Sequence, residues 1–149
     1  MYDFIVTGLL SPLEGTLLLP VYFRLMGMKI GKRAVLGEGF AGTLVDHDMI
    51  DIGNYVTVKA QFQAHTFEGR MLKTGHIRVE DYSTLRTNTV PLYGSNIGEH
   101  TFVASGSVIM KGETLSPWTS WEGNPAKLNE EATVLYDSLT EEGSNVGSL

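Results

Sequence analysis

The sequence contains no cysteine at all. This absence excludes a disulfide framework, a thiolate nucleophile and a zinc site with cysteine ligands. Any covalent chemistry of the chain must therefore use other side chains. With 149 residues and 42% hydrophobic side chains, the chain has the size of one domain with a sizeable core.

Long apolar runs are also absent, although residues 1–28 are rich in leucine and aromatic side chains. Polar residues and prolines interrupt this segment at Asp3, Pro12, Glu14, Pro20 and Arg24. The segment falls short of the roughly 18 uninterrupted apolar residues of a membrane-spanning helix, and it lacks the basic start of a signal peptide. We predict a short helical cap over one open end of the core. A peripheral membrane contact is the alternative, although such helices usually carry more Lys and Arg.

Clustered basic charge is missing as well. The formal net charge is −6, and all 11 Lys and Arg residues lie at or before Lys127. Residues 128–149 contain acidic residues but no base. A nearly neutral body with an acidic tail lacks the basic footprint of nucleic-acid binding. We expect no nucleic-acid partner and a cytoplasmic location, with membrane association kept open.

A period of six residues runs through the second half of the chain. A large apolar side chain begins each hexad, and a small or hydroxylated side chain usually follows four positions later. The hexads begin at Val79, Leu85, Pro91, Ile97, Val103, Ile109, Leu115 and Trp121. Long helices and long strands have other periods, whereas short strands separated by corners fit this one. The sequence predicts a parallel β-helix of triangular turns with the first positions inside.

The same register returns upstream at Ile30, Leu36, Ile52 and Val58, but two breaks interrupt it. The surplus residues in each break are expected to leave the coil as loops, and loops on a rigid scaffold commonly carry function. The breaks contain most of the histidines and several charged residues, namely Asp46, His47, Asp48, His65, Glu68, Arg70 and His76.

Some residues have ordinary structural interpretations. His47 lies between two aspartates, which is more typical of a solvated turn than of a metal or substrate contact. His100 falls near a corner, and we expect it at the surface. Trp118 and Trp121 are expected to pack against a terminal helix rather than form a stacking platform.

The chain divides into three predicted segments: the cap at residues 1–28, the β-helix at 29–127, and a short helix with a flexible acidic tail at 128–149. The last segment has apolar residues spaced as one helical face, with two glutamates at its N-terminal end. The residues of this pattern are Leu128, Glu130, Glu131, Ala132, Leu135 and Leu139.

Together with the repeat, residues 105–127, SGSVIMKGETLSPWTSWEGNPAK, resemble the hexapeptide-repeat acyltransferases. The segment FQAHTFEGR at 62–70 is similar to the stretch that bears the catalytic histidine of sugar and xenobiotic acetyltransferases, and its histidine is His65. QAHTFEGRMLK, preceded by LLLPVYFRLMGMKIGKRAV, is similar to the C-terminal β-helical modules of polylysine-type non-ribosomal peptide synthetases. The expected fold is all-β, a left-handed parallel β-helix with a short C-terminal helix and an N-terminal apolar cap.

The resemblance implies acyl transfer from a thioester directly to an amine or hydroxyl acceptor, with His65 as the general base. Imidazole titrates close to neutral pH, which suits this role. The small-molecule acceptor is expected to contact Glu68, Arg70, His76 and Asn88.

The resemblance also implies a pantetheine thioester as the donor, either coenzyme A or a carrier-bound 4′-phosphopantetheine, and no metal. By motif match, the donor contacts are Ser105, Gly106, Lys111, Asn124, Pro125 and Lys127. Arg86 stands where many sugar acetyltransferases have glycine. A large cation there narrows the pantetheine path or adds a charge to it.

The implied assembly is a homotrimer with its active-site loops at the subunit junctions, as part of a synthetase-like protein with a carrier-protein partner. Two alternatives stay open. The coil is a non-catalytic trimerising scaffold in one of them. In the other it is a zinc enzyme similar to γ-type carbonic anhydrases, although Ala60 stands where one of the three histidine ligands belongs.

Overall fold

The computed structural model describes Gly8, residues 10–135 and Ser138, without the side chains of residues 41–45. Its N-terminal part is a short 3-10 turn, Ser11–Leu13, followed by helix α1, Leu18–Leu25. Leu19 and Phe23 of α1 are fully buried, and the Phe23 ring meets that of Phe40 edge to face at 5.2 Å. The predicted apolar cap is confirmed.

The outer face of α1 remains exposed and apolar. Leu18, Val21 and Leu25 are spaced to lie on one side of the helix, and the exposed fraction of Leu25 is 83%. In the part of the chain that is described, no helix combines the length and the apolar character needed to cross a membrane.

The body of the molecule is a parallel β-solenoid with three faces. The first face stacks five strands, β1 (Lys29–Ile30), β3 (Ile50–Ile52), β7 (Ile77–Val79), β9 (Asn96–Ile97) and β12 (Thr114–Leu115). The second face contains β2 (Val35–Leu36), β4 (Thr57–Ala60), the start of β8 (Thr84–Pro91), β10 (Phe102–Val103) and β13 (Ser120–Glu122). Strand β14 (Lys127–Leu128) closes this face in antiparallel orientation. The third face pairs the end of β8 with β11 (Val108–Ile109).

The hexad starts form the interior, as predicted. Val79 pairs with Ile97 and Ile97 with Leu115, so each turn in this part of the coil advances 18 residues. Seven of the eight hexad starts are buried, and Trp121 is partly buried against the core. The aliphatic column that results is the main source of burial energy in the coil.

Most of the small residues near the corners are buried, and several of their hydroxyl groups are hydrogen bonded. Ser83 Oγ donates to the carbonyl of Gly98 at 2.7 Å, and Thr101 Oγ1 donates to the carbonyl of Ser116 at 3.1 Å. These acceptors lie one turn further along the coil. Small size therefore lets the chain turn, and the hydroxyl groups of Ser83 and Thr101 also join successive turns. Ser95 differs, because its buried Oγ has no hydrogen-bond partner among the described residues.

The two breaks have regular structure where we predicted loops. The first forms a 3-10 segment, Phe40–Met49, with a kink at Asp46. The second is an antiparallel hairpin of β5 (His65–Glu68) and β6 (Met71–Thr74). Both insertions therefore have backbone hydrogen bonds of their own, which hold their side chains in place.

The C-terminal helix is confirmed, but its predicted packing is partly wrong. Helix α2 occupies residues 130–135, and the Asn129 side chain caps it by accepting the Ala132 N–H at 2.9 Å. Leu128 belongs to β14 instead of the helix, and Leu135 is exposed. Leu139 lies outside the described residues. The boundaries proposed for the three segments stay predictions.

The corner between the first and second faces carries a stacked column of planar side chains. This corner column consists of Arg33, Tyr55, Tyr82, His100 and Trp118, all with left-handed φ angles. Successive rings stack from Tyr55 to Trp118 at centroid distances from 5.1 to 3.8 Å. The expectation that Trp118 does not form a stacking platform is therefore wrong, because its ring lies on His100; its contact with the terminal helix stays a prediction.

Candidate functional site

The β5–β6 hairpin places His65 at its base. Gly69 and Arg70 form the two-residue turn and both have positive φ, at 58° and 64°, which is the geometry of a type I′ hairpin. His65 is paired with Thr74 at the other end of the hairpin. The N–H of Gly75 donates to the carbonyl of Ala64 at 3.0 Å and closes the base.

His65 is held by Asp46, which comes from the other break. The distances from His65 Nδ1 to Asp46 Oδ1 and Oδ2 are 2.7 and 2.8 Å, and Oδ2 also accepts the Ala64 N–H at 3.3 Å. A carboxylate can only accept, so the Nδ1 position carries the hydrogen. Nε2 of the neutral ring is then the proton acceptor, which is the arrangement a general base needs.

A pocket of about 340 Å³ opens beside this pair. Its walls include the carboxylate of Asp48 and the apolar side chains of Met49, Phe67 and Leu72. The His65 side chain is about one third exposed, whereas Asp46 is nearly buried. The imidazole is therefore open to a small molecule in the pocket, and its partner is shielded from water.

Glu68 lies in a group of charges on the hairpin. Its carboxylate accepts a hydrogen bond from Lys73 Nζ at 3.1 Å and is also in contact with Lys111 Nζ. The Lys111 ammonium lies 5.4 Å from the centre of the Tyr93 ring. The hairpin thus reaches the later turns of the coil, and the charge of Lys111, predicted to contact a donor phosphate, is compensated by a carboxylate.

The other residues predicted at the acceptor lie outside the pocket. Arg70 is exposed at the hairpin turn, and His76 is exposed directly before β7. His47, which we expected in a solvated turn and not at the acceptor, follows Asp46, is partly buried and does not line the pocket. The roles proposed for these residues stay predictions.

Apart from Lys111, which contacts Glu68 of the hairpin, the residues predicted at the donor lie elsewhere on the coil. Gly106 occupies the corner between the second and third faces, with a φ angle of 75°. Asn88, which we predicted at the acceptor, occupies the same corner one turn earlier, with a φ angle of 60°. The Gly106 N–H donates to the carbonyl of Thr87 at 3.1 Å. The remaining residues of this set are all exposed, at Ser105, Lys111, Asn124, Pro125 and Lys127. The third face therefore separates this corner from the hairpin.

One carboxyl at the base of the corner column has a shifted pKa. The backbone N–H of Asn54 donates to Asp81 at 2.7 Å, and the Asn54 side-chain amide adds a second contact. These hydrogen bonds, with a smaller contribution from the charge of His100, lower the pKa of Asp81 below 3.8. Asp81 does not line the His65 pocket.

Among the described residues, no group of three or more His, Asp or Glu side chains is arranged to hold a metal ion. Ala60, at the position of the absent histidine ligand, is fully buried.

The partnership of Asp46 with His65 is the feature that sequence reasoning missed. Asp46 was noted only as a neighbour of His47. One feature of the sequence points to this contact. Both breaks interrupt the same six-residue register, so the two insertions can project from the coil next to each other. The repeat alone does not give the path of either insertion.

No protein-family model matches the chain. Among curated proteins, the chain is similar to the Delta-poly-L-ornithine synthetase of Acinetobacter baumannii, with 29% identity over 127 residues. This match covers 81% of the chain and 9% of that protein. The chain thus spans a small part of this relative's length.

Among solved structures, the chain is similar to a hexapeptide-repeat acetyltransferase from Vibrio cholerae complexed with acetyl coenzyme A. The TM-score is 0.60 and the identity 23%, over 68% of this chain and 58% of that one. A maltose O-acetyltransferase from Clostridium difficile gives a TM-score of 0.54 and 15% identity, over 67% and 56% of the two chains. The chain therefore spans less than two thirds of either structure. These similarities establish a shared fold.

Proposed function

We propose that the chain transfers an acyl group from a pantetheine thioester to an amine or hydroxyl acceptor, with His65 as the general base. The observation that carries this proposal is the His65–Asp46 pair at a pocket, because it leaves Nε2 free to take a proton. The resemblance of the 62–70 segment to the catalytic stretch of acetyltransferases supports the same residue.

The reaction has two steps, addition of the acceptor and loss of the thiol. Nε2 of His65 removes the proton of the acceptor as its nitrogen or oxygen bonds to the thioester carbon, which gives a tetrahedral intermediate. The carbon–sulfur bond then breaks, and the leaving thiolate takes the proton from the imidazolium. Asp46 stabilises the positive ring between these steps through its hydrogen bond to Nδ1. No acyl-enzyme forms, in keeping with a chain without cysteine.

The donor class is supported by the Vibrio cholerae structure, which was solved with acetyl coenzyme A. Carrier-bound 4′-phosphopantetheine presents the same arm. The relative named for poly-L-ornithine supports an amine acceptor with an aliphatic chain. The pocket suits such a molecule, because Met49 and Leu72 offer apolar contacts and Asp48 offers a carboxylate for a second ammonium group.

We further propose a homotrimer in which each hairpin contacts a neighbouring subunit. The exposed fractions of Phe67 and Met71 are 75% and 63%, and apolar side chains on a projecting hairpin favour burial by a partner. A monomer mass by light scattering at micromolar concentration contradicts this assembly, and a mass near three times 16.3 kDa supports it.

Peripheral membrane proximity is also a proposal. Arg24 of α1, whose outer face is apolar and exposed, is followed in the sequence by three further bases with no acid between them, Lys29, Lys32 and Arg33. An apolar stripe beside basic side chains suits an anionic lipid surface. Sedimentation with anionic vesicles, lost in Leu18→Glu, supports this contact. Equal sedimentation of the variant contradicts it.

The test of the main proposal is His65→Ala in the 149-residue chain. Thiol released from acetyl coenzyme A can be measured with a thiol reagent free of protein background, since the chain has no cysteine. Acceptors should include ornithine, other diamines and sugars. We expect turnover to fall by about 10² to 10⁴, with an unchanged thermal midpoint. Turnover at the wild-type level in this variant excludes His65 as the base and favours another base, such as His76 or His47, whereas a wild-type chain that releases no thiol with any acceptor favours the scaffold.

A further inference from the structure

A register shift distorts the coil at the corner between the second and third faces. Val58 pairs with Leu85, but Ala60 pairs with Thr89. The later turn therefore has two more residues at this corner than the earlier turn. Segment 86–88 supplies the extra length. A corner that widens between successive turns leaves a cleft, because the backbones there are not stacked in the regular way.

The cleft at this shift has the chemistry of an anion site. It encloses about 240 Å³ and is lined by two cations, Lys59 and Arg86. Three threonines and two apolar side chains complete the wall, namely Thr57, Thr84, Thr87, Leu85 and Phe102. None of the lining residues is acidic. Guanidinium, ammonium and hydroxyl donors together are the usual ligands of a phosphate group.

The two cations are available for a ligand. Neither Lys59 nor Arg86 forms an ion pair with any carboxylate in the part of the chain that the structure describes. The aliphatic part of Lys59 lies across Gly37, where an added Cβ would come within 2.7 Å of the lysine Cγ. Glycine at this position therefore makes room for the lysine side chain. Lys111 differs, because Glu68 already neutralises it.

We propose that this cleft binds the phosphate at the 4′ end of the donor's pantetheine arm, an inference that rests on the proposed acyl transfer. Coenzyme A and a carrier-bound arm share this phosphate, so the site accepts either source. The proposal gives Arg86 a binding role at a position where the similar sugar acetyltransferases have glycine. It moves the phosphate contact from Lys111 to Lys59 and Arg86.

The path of the chain from the cleft toward the proposed base sets what the arm must span. Arg86 lies six residues before Leu92, so the two are at most about 20 Å apart along the third face. Leu92 forms a bridge with Gln63, two residues before His65. An extended arm measures about 17 Å from phosphorus to sulfur with ordinary bond lengths. A phosphate bound in the cleft therefore requires a nearly extended arm that runs along the third face toward the hairpin that carries His65.

The test compares the affinities of 4′-phosphopantetheine and pantetheine for the 149-residue chain by calorimetry. We expect wild type to bind the phosphorylated arm at least tenfold more tightly. Arg86→Ala and Lys59→Ala should each weaken its binding by about 10 to 100-fold, as for a hydrogen bond to a charged group, and leave pantetheine binding unchanged. Arg78→Ala, which removes an exposed cation from the first face, is the matched control and should change neither affinity.

Coenzyme A and a phosphopantetheinylated carrier protein form the two further arms of the experiment. Parallel losses for both on Arg86→Ala support the shared phosphate site, and the tighter of the two is assigned as the donor. Equal binding of pantetheine and 4′-phosphopantetheine to wild type overturns the proposal, and so does normal phosphopantetheine binding by the Lys59→Ala, Arg86→Ala double variant. Intact phosphate-dependent binding without thiol release contradicts the proposed function and leaves the phosphate site standing.

Discussion

Substitution of Asp46 by asparagine tests the hydrogen-bonding geometry of the proposed base more sharply than truncation does. In wild type, Asp46 accepts from both the Ala64 N–H and His65 Nδ1. Asparagine has nearly the same shape, and its Oδ1 can still accept the Ala64 N–H. Its Nδ2 then faces His65 and can only donate. The imidazole must turn its Nδ1 lone pair to this amide, which puts the ring hydrogen on Nε2.

The expected loss follows from this reversal. With hydrogen on Nε2, His65 has no lone pair for the proton of the acceptor, so the base is absent for most of the time. We expect Asp46→Asn to lower turnover by about 10² to 10⁴, the whole contribution of a positioned base. Asp46→Ala removes the orienting bond without enforcing the wrong tautomer. Its expected loss is about 10 to 100-fold, as for other groups that orient a histidine.

The assay is thiol release from acetyl coenzyme A with the best acceptor, together with thermal midpoints for both variants. Asp46→Asn, which keeps the shape of the side chain, should therefore be less active than Asp46→Ala. Asp46→Asn should also keep the wild-type KM for the donor, because the residue acts through His65. If Asp46→Ala is less active than Asp46→Asn, or if both retain wild-type turnover, Asp46 is only a structural ligand of the hairpin base.

Three other predictions concern stability and the hairpin turn. Because the pKa of Asp81 is lowered, its hydrogen bonds with Asn54 stabilise the fold above pH 3.8, and this contribution is lost as pH falls through the lowered pKa. The difference in unfolding free energy between wild type and Asp81→Asn, measured by urea titration, should therefore shrink below that pH. A difference that stays constant with pH would refute this. Trp118→Ala removes the terminal ring from His100 and should cost about 1 kcal/mol, seen as a fall of about 2–4 °C in the thermal midpoint; an unchanged midpoint contradicts a stabilising column. Arg70→Gly removes a side chain from a left-handed backbone position and should raise stability by up to about 1 kcal/mol, whereas a raised KM for the acceptor would support the predicted binding role of Arg70.

The coil was predictable because its signal repeats. Each hexad start, such as Ile97, meets hexad starts one turn before and one turn after. A large apolar side chain is therefore favoured at every one of these positions. The corner column shows where this reasoning stops. Tyr82 and His100 are 18 residues apart and stack at 4.7 Å, but the hexad rule constrains only the interior. The corner column can be recognised in the sequence only by comparing residues that lie one turn apart at an outer corner. The hexad rule does not make this comparison, so it does not predict the column.

The candidate site depends on insertions that depart from the repeat. Each insertion has its own sequence and conformation, so the repeat does not predict its path. His65 was identified from a motif, whereas Asp46 became its partner only through the paths of the 3-10 segment and the hairpin. The same holds for the cleft at Arg86, where pairing shifts by two residues within β8. A regular coil stacks equivalent residues on every turn and so presents flat faces. The His65 pocket and the cleft at Arg86 both lie where this stacking is interrupted, so the fold follows from the period and the proposed chemistry from its interruptions.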